Sequence, residues 1–129
     1  MAFDGIFAQR MGEPVTLDVD GNGSIQPLTD GLLLLRDLFG FTGTTLTTGA
    51  VGNDCSRCDG SSIDSYLDGL GLVLDVDGNG TITALTDGLL VLRFLFGFTG
   101  ATLTTGAVDA NLCTRCDAAA IQTYLQTLI

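Results

Sequence analysis

The pattern of apolar positions predicts an amphipathic helix near the end of each half of the chain. Over 63–70 and 121–128, apolar residues stand three and four positions apart, so they share one face of a helix. Asp59 and Asp117 come shortly before these stretches, and each is a suitable N-cap. The two apolar stripes consist of Ile63, Tyr66, Leu67 and Leu70 and of Ile121, Tyr124, Leu125 and Leu128.

Two further helices are predicted over 30–39 and 87–96, and a glycine follows each of them at the place of a C-terminal cap. In the second of these stretches, apolar residues go right round the helix, which indicates a central position in a core or a surface reserved for a partner. We expect the two helices to pack on each other, with Arg36 and Arg93 reaching solvent or a carboxylate at their junction.

The chain contains the same unit twice. Asp18 matches Asp75 at an offset of 57 residues, and after one inserted residue Cys55 matches Cys113 at an offset of 58. Each unit reads as acidic loop, helix, connector rich in Gly and Thr, Cys-x-Arg-Cys and second helix. The composition of the connectors indicates loops with short extended pieces.

Units of this size usually need a neighbour to bury their apolar faces. The predicted fold is therefore mostly α: two tandem repeats of acidic loop, helix, connector and helix, packed about a pseudo-twofold axis. Repeat 1 covers 15–71 and repeat 2 covers 72–129, and both belong to one domain. Residues 1–14, in which Phe3, Ile6 and Phe7 resemble the apolar stripe, form an N-terminal extension or cap.

Composition excludes several classes of function. With a net charge of −10, five Arg and no Lys, the chain cannot assemble a basic patch for nucleic acid. The absence of His removes the commonest general base, and Ser61 and Ser62 lack an evident base, so we expect no enzymatic activity. The longest apolar run, at 32–35, is far shorter than the ~20 residues that span a membrane. The first residues also lack the basic start and long apolar stretch of a signal peptide.

The acidic loops have the alternation that a hard cation requires. Positions 1, 3 and 5 carry side-chain oxygens, position 6 is a glycine that allows a sharp turn, and position 7 offers a backbone carbonyl. An apolar residue at position 8, Ile25 or Ile82, would let the two loops pair through a short strand. A metal-free turn is the alternative, but two such loops, each leading into a helix, favour two Ca²⁺ sites. The predicted ligands at these positions are Asp18, Asp20, Asn22 and Ser24 in one loop and Asp75, Asp77, Asn79 and Thr81 in the other.

These loops, with the following "ALTDGLLVLRFLFGF" at 84–98, resemble dockerin modules, whose duplicated half-EF-hand loops bind Ca²⁺. In that family an acidic ligand closes the loop at position 12. This chain has Thr29 and Thr86 there, and Asp30 and Asp87 follow at position 13. Either the loop is one residue longer, with Asp30 and Asp87 as ligands, or another group closes it. The resemblance implies docking to a cohesin-like domain, although the connector, the Cys pairs and the second helix are additions to the family's pattern.

The four cysteines form two Cys-x-Arg-Cys pairs. Residues i and i+3 of a turn lie close enough for a disulfide, so we predict the local bridges Cys55–Cys58 and Cys113–Cys116. Cross-repeat disulfides, a Cys₄ zinc site that staples the repeats, and a redox-active pair remain alternatives. For redox chemistry, the Arg inside each pair would stabilise a thiolate.

The resemblance, together with the paired cysteines, implies a secreted bacterial module outside the cell or at its surface. Its expected role is structural or adhesive, through docking of a cohesin-like protein or self-assembly into an oligomer or filament. A thiol–disulfide redox protein and a zinc-stapled domain are the alternative functions. We expect neither a nucleic-acid partner nor membrane insertion.

Overall fold

The computed structural model describes residues 15–129, and the predicted cap at 1–14 lies outside this range. Within 15–129 the chain is mostly helical and has no β-strand, which confirms the predicted all-α class. None of the helices in this range has the length and apolar character needed to cross a membrane. In chain order the α-helices are α1 (Leu32–Leu38), α2 (Gly43–Thr47), α3 (Gly60–Leu70), α4 (Leu89–Leu95), α5 (Ala101–Thr104) and α6 (Ala118–Gln126).

The two amphipathic helices begin where the sequence predicts. The Asp59 carboxylate accepts the Ser62 N–H (2.9 Å), and the Asp117 carboxylate accepts the Ala120 N–H (2.8 Å), so each Asp caps the first turn. The apolar stripe of α3 is buried along its whole length, and that of α6 is buried except for the half-exposed Tyr124. A short 3₁₀ turn, Gly71–Leu74, then leads from α3 into the second acidic loop.

A wide turn precedes each of the apolar helices. Pro27–Gly31 and Ala84–Gly88 are π-helical, and the helical chain therefore begins earlier than the predicted positions 30 and 87. The N–H of Gly31 donates to the Gln26 carbonyl five residues back (3.2 Å), and Gly88 does the same with Thr83 (3.2 Å). Such a turn accommodates one residue more than an α-helical turn does.

Two of the structural expectations are wrong. The connectors contain the short helices α2 and α5 in place of extended pieces, because Leu46 and Leu103 are anchored in the core and fix one helical turn around them. Ile25 and Ile82 pack half-buried against the core, and neither lies in a strand.

Arg36 and Arg93 are half-exposed, as expected, but their partners are backbone carbonyls and not carboxylates. Arg36 donates through Nη1 to the carbonyls of Leu46 (3.0 Å) and Thr48 (2.8 Å), where α2 ends. Arg93 binds Leu103 and Thr105 at the same distances. The final carbonyls of a helix lack intrahelical donors, so these arginines supply the missing hydrogen bonds from α1 and α4.

The repeats contact each other reciprocally. Gly31 lies against the Leu92 side chain of the second repeat, and Gly88 lies against the Leu35 side chain of the first. A second contact joins the outer ends of the repeats, where the Leu17 N–H donates to the Leu128 carbonyl (2.9 Å). Leu17 and Leu128 are both buried, so the two repeats share one apolar core.

Candidate metal centres

Each acidic loop brings three carboxylates together. Asp18, Asp20 and Asp30 each offer an oxygen within 4.8 Å of the others, and Asp75, Asp77 and Asp87 do the same. Five of these six side chains are buried, and that of Asp18 is half-exposed. Three converging carboxylate oxygens in so small a volume are an arrangement that suits a hard cation.

The π-helical turn explains how position 13 reaches the cluster. Asp30 and Asp87 lie within the π-helical turns, which accommodate one residue more than an α-helical turn does. Their carboxylates lie beside those of positions 1 and 3. Which group closes the cation loop stays a prediction.

Asp30 and Asp87 also organise the loop backbone. Asp30 Oδ1 accepts the Val19 N–H (2.7 Å), and its Oδ2 accepts the Gln26 N–H (2.8 Å). Asp87 forms the equivalent bonds with Val76 (2.7 Å) and Thr83 (2.8 Å). One side chain thereby connects the start of the loop to its end. The Asp20 N–H (3.3 Å) and the Thr29 hydroxyl (3.2 Å) form longer bonds to the same two Asp30 oxygens, so a cation bound there would take the place of one of these weaker donors.

The inner carboxylates at position 3 are less well satisfied. Asp77 is fully buried, its Oδ2 accepts the Asp109 N–H (2.9 Å), and its Oδ1 is buried without a hydrogen-bond partner. In the first loop, Asp20 Oδ2 accepts the Gly52 N–H (2.6 Å), while Oδ1 has only a long contact from Asn22 N (3.4 Å). A buried carboxylate oxygen without a donor is costly, and a cation is the partner that would remove this cost.

Burial also changes the proton affinity of the closing carboxylates. It raises the pKa of Asp30 to about 6, a shift that the backbone N–H of Gln26 partly opposes. Burial raises the pKa of Asp87 as well. Both shifts are expected of carboxylates crowded together away from water, and a bound cation would favour their charged forms.

The amide and hydroxyl positions lie at the more exposed side of each loop. Asn22 Oδ1 accepts the Ser24 N–H, and Asn79 Oδ1 accepts the Thr81 N–H, both at 3.0 Å. Each amide oxygen retains a lone pair for an ion. Ser24 and Thr81 are exposed and lie in the same turn as their Asn partners.

The predicted local disulfides are confirmed. Cys55 bonds Cys58 and Cys113 bonds Cys116, with 5.4 Å between the Cα atoms of each pair, and no free cysteine remains. Cross-repeat bridges are thereby excluded, and no cysteine is left as a thiolate ligand for zinc.

The sequence did not reveal what the Arg inside each disulfide turn does. Arg57 donates through Nε to the Val19 carbonyl (2.8 Å) and through Nη2 to the Asp18 carbonyl (2.7 Å). Its guanidinium also lies 3.8 Å from the centre of the Tyr66 ring. Arg115 forms the same contacts with Val76, Asp75 and Tyr124. The available signal was that an Arg recurs inside the Cys pair of both units.

A third acidic cluster occurs in repeat 1 alone. Asp37 of α1 meets Asp64 and Asp68 of α3, again within 4.8 Å. Burial, together with a hydrogen bond to Asp64, raises the pKa of Asp37 to about 7. The matching positions of repeat 2 are Phe94, Gln122 and Gln126.

No model of a known protein family matches this chain, and neither a curated protein nor a solved structure does.

Proposed function

We propose that this chain is an extracellular Ca²⁺-binding module of the dockerin type, in which two ions stabilise a pair of helical repeats about a pseudo-twofold axis. The reciprocal contacts of Gly31 and Gly88 support the twofold relation. The two disulfides support an oxidising compartment.

The observation that carries the cation proposal is the unpartnered Oδ1 of the fully buried Asp77, among two further carboxylates. Asp75, Asp77 and Asp87, with Asn79 and the Thr81 carbonyl, would hold one ion. The equivalent residues of the first loop would hold the other. Carboxylate, amide and carbonyl oxygens suit the large, flexible shell of Ca²⁺ better than the strict octahedron of Mg²⁺.

Calorimetric titration of the purified chain with Ca²⁺ tests the proposal directly. We expect two sites, and we expect Asp20→Asn and Asp77→Asn each to remove or strongly weaken one. Asp54→Asn provides the control, because it removes one exposed negative charge outside the clusters. Undetectable binding at millimolar Ca²⁺ would contradict the proposal, as would equal losses in all three variants.

Docking of a protein is the role that the surface supports best. Phe39 and Phe41 lie side by side with tilted rings whose centres are 6.4 Å apart, and Phe96 and Phe98 repeat this pair at the same distance. All four rings are exposed, which is unusual for large apolar side chains placed so close together. A cohesin-like domain or another copy of this chain would cover them.

Sedimentation velocity in millimolar Ca²⁺ and in chelator separates the two partners. A monomer at high concentration in Ca²⁺ points to a separate protein, whereas large species that form with Ca²⁺ point to self-assembly. In the second case, Phe39→Ser with Phe41→Ser should reduce assembly while leaving Ca²⁺ binding unchanged. A thiol–disulfide redox role predicts instead that the native disulfides exchange with glutathione, so inert disulfides would eliminate it.

A further inference from the structure

We propose that each disulfide turn, 55–58 or 113–116, positions the ligands of the acidic loop that it contacts. The redox state of its disulfide would then set the cation affinity of that loop. This inference rests on the proposed Ca²⁺ binding. It assigns the Cys-x-Arg-Cys segment a positioning role for the ligands.

The contacts in repeat 1 cover a continuous stretch of loop backbone. The N–H groups of Ser56 and Arg57 both donate to the Asp20 carbonyl, at 3.0 and 2.9 Å. The Arg57 side chain donates to the carbonyls of Val19 and Asp18, and the Ser56 hydroxyl donates to that of Gly21 (2.9 Å). Four successive carbonyls, 18–21, are thus bound from one side by two residues enclosed in a disulfide.

Repeat 2 contains the same arrangement. Thr114 and Arg115 donate their N–H groups to the Asp77 carbonyl, at 2.9 and 3.0 Å. The Thr114 hydroxyl binds Gly78 (2.9 Å), and Arg115 binds the carbonyls of Val76 (2.7 Å) and Asp75 (2.6 Å). The second residue of the Cys-x-Arg-Cys segment is Ser56 in one repeat and Thr114 in the other, yet both hydroxyls donate to the equivalent glycine carbonyl. The arrangement is therefore a feature of both loops and tolerates the change from Ser56 to Thr114.

This arrangement fixes the direction of the ligands. The carbonyls at positions 1 and 3 are held by the disulfide turn, while the carboxylates of the same residues converge on the cluster. Holding one side of the backbone limits the rotation of the other, so less ordering remains when an ion binds. Opening the disulfide frees the donors and returns that ordering cost to the binding step.

The redox step uses an external dithiol. The disulfide accepts two electrons and two protons, its S–S bond breaks to give two thiols, and the dithiol becomes a cyclic disulfide. Cys58 and Cys116 are exposed, so a small dithiol can reach them. Because linkage is reciprocal, a bound cation must also make each disulfide harder to reduce by the same factor.

The test compares a near disulfide with a distant one at a single cation site. In an Asp77→Asn background, Ca²⁺ titration reports the first loop alone. We expect Cys55→Ser with Cys58→Ser to weaken this binding about tenfold, within the ~5- to 150-fold range usual for coupled sites. The matched change in the other repeat, Cys113→Ser with Cys116→Ser, should alter it less than about twofold. Equal weakening by both pairs would overturn the inference, because the disulfides would then act only through overall stability.

Arg57→Lys keeps both the disulfide and the positive charge. It tests the inference even if the variant with Cys55→Ser and Cys58→Ser does not fold. A lysine cannot donate to the Val19 and Asp18 carbonyls in the geometry of a guanidinium. In the Asp77→Asn background, where titration reports the first loop alone, we expect weaker Ca²⁺ binding in this variant and unchanged first-loop binding in the matched Arg115→Lys variant. Unchanged binding in Arg57→Lys would overturn the inference.

The wild-type chain provides an independent measurement. The ratio of reduced to oxidised dithiol that opens half of the disulfides should rise about tenfold per site when chelator is replaced by saturating Ca²⁺. An unshifted ratio in a chain that binds Ca²⁺ would overturn the coupling alone. Absence of Ca²⁺ binding in the oxidised wild-type chain would instead show that the proposed function is wrong.

Discussion

Asp37 and Asp64 place carboxylate oxygens within 4.8 Å of each other between α1 and α3. Burial and the hydrogen bond between them raise the pKa of Asp37 from 3.8 to about 7. The folded chain therefore holds this proton up to a higher pH than the unfolded chain does. Above pH 3.8 the unfolded state releases the proton first, so this group lowers the free energy of unfolding as the pH rises towards 7.

We expect Asp37→Asn to remove this dependence. An amide keeps the shape and can donate to Asp64, so the variant should be more stable than the wild type at pH 7 and above. The difference should shrink as the pH falls towards 4. Urea unfolding at several pH values in saturating Ca²⁺ measures the effect while the loop carboxylates remain neutralised. Asp54→Asn, which removes an exposed charge, should leave the wild-type slope intact; an Asp37→Asn profile parallel to that of the wild type would contradict this prediction.

The effect of Asp77→Asn on stability should depend on Ca²⁺. In chelator the substitution removes a buried, unpartnered carboxylate oxygen, which costs on the order of 1–3 kcal/mol, so the variant should be more stable than the wild type. In Ca²⁺ at a hundredfold excess over the dissociation constant, the wild type gains about 2.7 kcal/mol from an ion that the variant loses, so the stability difference should shift by that amount in favour of the wild type. Thermal unfolding in both buffers measures the two differences. The same difference in both buffers would show that Asp77 does not bind the ion.

Gly60→Ala should destabilise the first repeat although alanine is the better helix former. A Cβ at Gly60 would lie 2.8 Å from the backbone N of Gly43 and 3.0 Å from its Cα, and backbone atoms cannot move aside as a side chain can. We expect a loss of about 1–3 kcal/mol by chemical denaturation. Repeat 2 has Ala118 at the matching position. There, Ala118→Gly should cost only about 1 kcal/mol, through helix propensity; equal stability of Gly60→Ala and wild type would contradict the close approach.

Arg36→Met should destabilise the chain by about 1.5–3 kcal/mol. The change leaves the carbonyls of Leu46 and Thr48 without their charged donor but keeps most of the apolar stem. Arg93→Met should have an effect of similar size, because its contacts are the same. Urea denaturation checks both values. A loss for Arg36→Met below about 0.5 kcal/mol, the size usual for surface substitutions, would indicate that the two hydrogen bonds contribute little.

The sequence was sufficient for the features that depend on local spacing. The apolar stripes of α3 and α6, their Asp caps and both disulfides follow from residues within one or two turns of each other, and the structure has all of them. The two carboxylate clusters of the acidic loops were also predictable in part, because positions 1 and 3 lie in one loop; the sequence left the place of Asp30 and Asp87 open and gave no sign of the cluster of Asp37, Asp64 and Asp68.

Features that depend on distant partners were missed. Arg36 and Arg57 bind backbone carbonyls ten or more residues away, and no side-chain pattern identifies a carbonyl as the partner. The helices α2 and α5 form over sequences rich in Gly and Thr because one buried Leu in each outweighs weak propensity. The π-helical turns were also missed, because hydrophobic spacing does not distinguish a π-helical turn from an α-helical one.

The hydrogen bond from Leu17 to Leu128 implies that the order of the repeats along the chain is interchangeable. Leu70 and Leu74, which match Leu128 and Leu17, are joined by the three residues 71–73, and the matching three residues at the other junction are Ile129, Val15 and Thr16. A circularly permuted chain that omits residues 1–14, bonds Ile129 directly to Val15 and opens between the repeats should therefore have a linker of the right length. Gly71 has φ +53, so glycine is the residue to place at 129 in that linker. The two joints between the repeats would then be equal in length, one formed by residues 71–73 and the other by 129, 15 and 16.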